Sequence, residues 1–257
     1  MPAAFFGHGS PMSTLEDNRY TRAWRDFGAG LPRPRAILVI SAHWYVAGTR
    51  VTAVRRPRTI HDFNGNFPPQ LFAFEYAADG DLGLVERVVD LAAPVRVERD
   101  ATTWGIDHGA FSVLAHAFAA ADIPVVELSV DRSKPAAYHY DLARRLNPLR
   151  DEGVFVMSSG NVVHNLELAD FGAGDKPFAW AQRFDDLVRE RLAAGDHEAL
   201  IAYRQLGSDA RLAVPTPDHY LPLLYTIALQ REGERVATIV DGLGFGALSM
   251  LSVSLAP

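Results

Sequence analysis

RAILVISAHW, residues 35–44, is a nearly unbroken apolar run that ends in small and polar residues. That is how a strand buried on both faces reads. IPVVELSV (123–130) and GVFVMSSGN (153–161) repeat the form, and RVATIVDG (235–242) and ALSMLSVSL (247–255) extend the set. Alternation in the last of these predicts a strand with one wetter face. Between the runs, residues 82–93, 110–121, 136–147, 177–194 and 219–230 place apolar side chains at helical spacing. Strands alternating with helices over the whole length predict an α/β fold, a central mostly parallel or mixed sheet flanked by helices. No repeat or low-complexity linker interrupts the pattern, and HDFNGNFPPQ (61–70) reads as an ordered loop, so one domain is expected. Glu127, inside an apolar run, will need a partner if it is buried.

Open α/β sheets bind ligands in the crevice beyond the carboxyl ends of their strands. Four of the nine histidines fall at such places. His8 follows AAFFG, His43 follows ILVISA, and His164 follows VFVMSSGNVV. His219 lies in VPTPDHYLP, where Asp218 reads as the N-cap of the next helix. Gly7 and Gly9 flank His8 and are expected to give positive φ and close approach. Ser41, Ser158, Ser159 and Asn161 are small polar residues able to hold the imidazole nitrogen that faces away from a ligand. None of this is a local motif such as H-E-x-x-H. A single histidine at a strand end is more often a loop hydrogen-bonder, so a shared site and four separate structural roles both stay open on position alone. His108, in TTWGIDHGAFSVL, follows Asp107, which reads as the cap of a helix beginning near Ala110. It either faces the same crevice or is incidental to that cap, and His61 in TIHDF is a weaker case of the same kind. His116, His139 and His197 lie inside helical patterns and read as packing or surface residues.

Composition narrows the chemistry. The chain has no cysteine, which excludes disulfides, thiolate metal sites, iron–sulfur clusters and a cysteine nucleophile. A transition metal would have to be held by His, Asp or Glu. With a formal net charge of −6 and no run of basic residues, neither a nucleic-acid footprint nor a polybasic membrane patch is expected. No leader pattern and no apolar stretch of about 20 residues is present, so the expectation is a cytoplasmic protein.

FFGHGSPM, LVISAHW, TIHDF, WGIDHGAFSVL, IPVVELSVD, SGNVVHNL and VPTPDHYLPLLY together resemble the class III extradiol ring-cleavage dioxygenases. The branch they look most like is that of the 4,5-DOPA extradiol dioxygenase-like proteins, and the likeness runs in order along almost the whole chain. The resemblance implies a single catalytic domain over residues 1–257, with one mononuclear non-haem divalent metal at the strand ends. His8 and His43 match the family's two N-terminal histidine ligands. His164 matches its acid–base histidine, and His108 a histidine of the substrate pocket. His219 takes a metal-proximal position where better-known members carry a glutamate. His164 is also a possible fourth ligand. A site made only of imidazoles suits zinc as well as iron, so Fe(II) is expected for activity and Zn(II) is plausible as the bound species.

The implied reaction inserts O2 into the aromatic ring of a catechol, DOPA-like, to give a ring-opened semialdehyde. The implied partners are a small catechol and O2. An unperturbed imidazole, with a pKa of about 6.5, would suit His164 for moving protons near neutral pH. Trp44, Phe63, Phe67, Trp104, Tyr220 and His61 are candidates to wall the pocket. Two other readings stay open: zinc-assisted hydrolysis, and a non-catalytic metal-binding protein on the same scaffold. Retention of all four strand-end histidines with His108 speaks against the second of these.

Overall fold

A computed structural model describes residues 1–256 and gathers eight strands into one mixed sheet. In chain order they are β1 (Ala3–Gly7), β2 (Ala36–Val46), β3 (Thr49–Thr52), β4 (Val97–Asp100), β5 (Val125–Asp131), β6 (Val154–Gly160), β7 (Arg235–Val240) and β8 (Ser252–Ala256). Their spatial order is β4-β3-β5-β2-β6-β1-β8-β7. The four central strands β5, β2, β6 and β1 run parallel, so their carboxyl ends open on one side. β8 and β7 return antiparallel and close one edge.

The main helices are α1 (Arg19–Gly30), α2 (Leu82–Ala92), α3 (His108–Ala117), α4 (Ala136–Arg145), α5 (Ala179–Ala194) and α6 (Leu221–Ala228). Strand alternation divides the core between the two faces. Ala3 and Phe5 of β1, with Leu38 and Ile40 of β2, pack on the side of α2, α4, α5 and α6. Ala4 and Phe6, with Ile37 and Val39, pack on the side of α1 and α3. No described helix is long and apolar enough to cross a membrane.

The structure departs from the sequence expectations at five places. Helix α1 has low hydropathy and two glycines, so its apolar signal is weak. The signal that marks it is Asn18, whose side chain accepts from the Tyr20 and Thr21 N–H groups while Thr21 returns a hydrogen bond, a capping box. β3 and β4 are four residues each and lack a run long enough to read. Helix α3 begins at His108, inside rather than before the first turn. Asp218 caps no helix, because α6 starts at Leu221 and the carboxylate turns to the His219 ring. β8 has no wet face within the sheet: its serines are buried, and Ser252 Oγ accepts from Gly7 N–H and Trp24 Nε1–H. The wetter strand is β7, at the edge.

Candidate functional site

The parallel centre of the sheet brings the strand-end histidines together. His8 follows β1 and donates its N–H to Gly160 O at the end of β6 (3.2 Å). The next amide, Asn161 N–H, donates to His219 O (2.9 Å), which ties the His219 loop to the same end. His164 N–H donates to Ala213 O (2.8 Å), and His43 lies near the end of β2. A two-strand ribbon adds the fifth imidazole. Thr59–Ile60 pairs parallel with Ile106–Asp107, so Asp62 comes to lie against His108. Gly9 sits at φ 68°, as a tight turn there needs. Gly7 has no positive φ. What it provides is room, since a Cβ there would lie 2.7 Å from the Met250 carbonyl carbon.

Four imidazoles are held by the same device. Ser159 Oγ donates to Gly109 O (2.5 Å), so it accepts from His8 Nδ1 (2.9 Å) and fixes the Nδ1–H tautomer. Asp62 accepts from His43 Nδ1 (3.0 Å) through one oxygen. Through the other it accepts from His108 Nδ1 (2.9 Å) and from the His108 N–H (3.0 Å). Asp218 accepts from His219 Nδ1. With Nδ1 committed as donor, each ring keeps its Nε2 lone pair for the cavity. His164 is held differently, stacked on His219 with ring centroids 3.5 Å apart and planes 3° from parallel. The carboxylate that serves two rings, Asp62, was not among the sequence candidates. Its only sequence signal is an acid next to a histidine in TIHDF.

These surroundings set the charge. Burial is the main force holding His8 well below the ordinary imidazole pKa, reinforced by the neighbouring His43 and His219. Burial also takes His108 down to about 4, against the opposing pull of Asp62. His164 is pushed down to about 2, first by burial and then by His219, far from the unperturbed value expected of it. His219 is lowered by burial despite Asp218. His43 alone is raised: burial disfavours its charge, but Asp62, Asp107 and Asp218 outweigh that cost. Burial would raise Asp62, yet the hydrogen bonds from His108 and His43 hold it well below the usual carboxylate range. Glu127 is fully buried and accepts from Asp107 N–H and Trp104 Nε1–H, the partners its burial demands.

The donor set fits a cation. His8 Nε2 and His43 Nε2 approach to 3.1 Å with both Nδ1–H groups already used. Two facing lone pairs repel, and a shared cation, a proton or a metal, makes that approach favourable. His219 Nε2 is buried with no hydrogen-bond partner. The donor atoms of His8, His43 and His108 all lie within 4.8 Å of one another, and so do those of His164, Asp218 and His219. His219 has its ring centroid 5.4 Å from His8 and 5.0 Å from His43.

The five imidazoles form the floor of a cavity of about 350 Å³. Phe63, Phe67, Leu166, Phe171 and Phe245 contribute apolar wall, and Ser10 and Asn64 polar wall. Four of the expected wall residues lie elsewhere. Trp44 is buried and stacked on Trp104 (centroids 5.7 Å), and neither lines the cavity. Tyr220 is a core residue against Tyr203, with its hydroxyl donated to Leu200 O (3.0 Å). His61 bonds Phe74 O (3.0 Å) and faces a different cavity beside Arg56 and Glu75. Large aromatics near a motif are recruited to the core because burying them contributes so much free energy.

Residues 3–248 match the model of the catalytic LigB subunit of aromatic ring-opening dioxygenase. The chain is 47% identical to a 4,5-DOPA dioxygenase extradiol of Escherichia coli (strain K12), over 99% of this chain and 94% of that protein. It is 34% identical to a protein of the same name from Beta vulgaris, over 95% and 92%. A crystal structure of an uncharacterized protein from Escherichia coli K12 superposes with a TM-score of 0.87 at 43% identity, covering all of both chains.

Proposed function

The chain belongs to the family of the catalytic LigB subunit of aromatic ring-opening dioxygenases, enzymes of the extradiol ring-cleaving kind, and on that premise we propose a specific reaction and division of roles. The whole chain acts as one catalytic domain that opens the ring of a catechol with O2 to give a semialdehyde. The observation that carries this reading is the convergence of Nδ1-anchored imidazoles, with the His8 and His43 Nε2 atoms 3.1 Å apart and His219 Nε2 buried without a partner.

His8, His43 and His219 would hold the metal. A ferrous ion there would supply open positions where a catechol and dioxygen can meet and exchange electrons. Zinc suits the same neutral nitrogen set and would bind without supporting the oxygenation.

The protein's own groups handle orientation and protons. Asp62, Asp218 and Ser159 keep the Nε2 lone pairs directed into the cavity. His164 would accept the proton from a catechol hydroxyl at a ring nitrogen. His219, stacked against it, restricts the ring to one orientation. His108, anchored through Nδ1, presents its far edge to the bound catechol. The apolar walls of Phe63 and Phe67 exclude water from around the ring. Anaerobic loading with Fe(II), followed by L-DOPA or another catechol in air, should give a yellow semialdehyde and oxygen uptake, and Zn(II) should give neither. Absence of both signals across a catechol panel with iron bound would overturn the reading.

A further inference from the structure

The imidazoles form the floor of the cavity, so a catechol that meets them with its two oxygens directs the far side of its ring toward the mouth. The walls change character along that path. Phe63 is 9% exposed, whereas Leu166 is 54% and Phe171 67% exposed, and all three line the cavity. Water therefore reaches the outer end, and a charged group placed there keeps part of its hydration. Apart from the imidazoles and Asp62, the polar side chains of the lining are those of Ser10 and Asn64.

Both can donate, and neither donor is in use. Ser10 Oγ accepts from Met12 N–H (3.2 Å), and its own O–H meets no acceptor among the described residues. The Asn64 amide is exposed and makes no side-chain hydrogen bond among them. Asn64 nevertheless stands on a fixed stretch of chain. Asp62, two residues before it, is bonded to His43 and His108. Phe63, its immediate neighbour, packs edge-on against Phe67 and His108, each with ring centroids 5.4 Å away. No lysine or arginine lines the cavity among the described residues, and its one carboxylate, Asp62, is committed to the two imidazoles. The cavity thus offers an anion two neutral donors, and offers a cation no uncommitted carboxylate.

We propose that the Asn64 amide and the Ser10 hydroxyl are specificity-determining groups that receive the carboxylate of a catechol's side chain at the open end of the cavity. The inference rests on the reading of the imidazole cluster as the ring-opening site. Hydrocaffeate and 4-propylcatechol have chains of equal length and differ at the end, and dopamine carries an ammonium on a chain of similar length. Calorimetric titration of the zinc-loaded protein reads their affinities without turnover. Asn64→Ala, at an exposed position, should keep the wild-type melting temperature, weaken hydrocaffeate about three- to tenfold and leave propylcatechol within about twofold. Ser10→Ala also removes the acceptor for Met12 N–H, a change that affects both ligands alike, so the lost donor is read in their ratio, which should shift in the same direction. Asn64→Asp should weaken hydrocaffeate further and tighten dopamine by about threefold or more, a reversal that a merely structural role would not produce. Equal losses for hydrocaffeate and propylcatechol in Asn64→Ala, or an unchanged order of hydrocaffeate and dopamine in Asn64→Asp, would overturn the proposal. If the iron-loaded protein opened no ring, the reading of the site would fail, and the affinity ratios on zinc would still decide this inference.

Discussion

Asp62→Asn changes one atom, and the structure says which imidazole will suffer. One carboxylate oxygen of Asp62 accepts twice from His108, from the N–H at 3.0 Å and from Nδ1 at 2.9 Å. The other meets His43 Nδ1 at 3.0 Å. In the variant the amide oxygen stays with the two His108 donors, and the NH2 group takes the place facing His43. Two donors cannot face each other, so His43 must move its hydrogen from Nδ1 to Nε2. The Nε2–H then points at His8 Nε2, 3.1 Å away, and the lone pair that would hold the metal is lost. Losing a partner that orients a metal-binding imidazole typically costs 10–100-fold in affinity, about 1.4–2.7 kcal/mol. Competition for zinc against a chromophoric chelator measures it, with thermal unfolding of the metal-free protein as a check on folding. A folded Asp62→Asn protein that binds zinc as tightly as the wild type would show that Asp62 does not set the His43 tautomer.

The remaining predictions concern the other imidazoles and one distant ion pair. His164→Ala should retain most of its zinc or iron and lose about 10²–10⁴ in turnover. Metal loss as complete as in His8→Ala would make His164 a ligand first. His219→Ala and His108→Ala should separate in the same metal titration, the first losing affinity and the second keeping it while its catechol KM rises. The opposite ranking would assign the third ligand to His108, whose donor atom lies within 4.8 Å of those of His8 and His43. Arg150 is 3% exposed and donates to Glu234 (Nη1–Oε2, 2.9 Å) and to Leu229 O. Glu234→Gln should cost about 3–5 kcal/mol in urea unfolding, because it leaves a buried charge without its counter-ion. Burial would raise the Glu234 pKa, but Arg150 holds it below the ordinary value. The wild type therefore has this contribution in full above a pH of about 4.3 and loses it as pH falls through the depressed pKa. The variant should show no such acid-side loss, and parallel pH profiles would contradict the assignment.

Local pattern carried much of this protein. The uninterrupted apolar runs of β2, β5 and β6 require burial on both faces, and parallel strands need crossover helices, so the fold class follows from periodicity alone. Placement of His8 and His164 beyond the ends of β1 and β6 follows too, because parallel strands share one carboxyl side, whereas His43 lies inside β2, which continues past it to Val46. Asp107 was readable as a helix cap, and it does accept from Ala110 N–H (3.1 Å). The weak helix α1 and the short strands β3 and β4 carry too few apolar positions for a period to show, and tertiary packing decides them.

What only the tertiary structure decided are contacts between residues far apart in the chain. Asp62 and His108 meet because two short segments pair as a ribbon, and His8 meets Ser159 because β1 lies beside β6. Whether Asp218 caps a helix or holds an imidazole, and whether Trp44 and Tyr220 wall a pocket or fill the core, depend on strand order and register. The residues nearest in sequence do not encode these. Side-chain periodicity specifies which face a residue occupies, because that follows from backbone geometry within a few residues. Which partner waits on that face is set by how distant strands pack. The sequence alone thus determined the sheet and the histidines at its edge, and the folded chain decided how each imidazole is held.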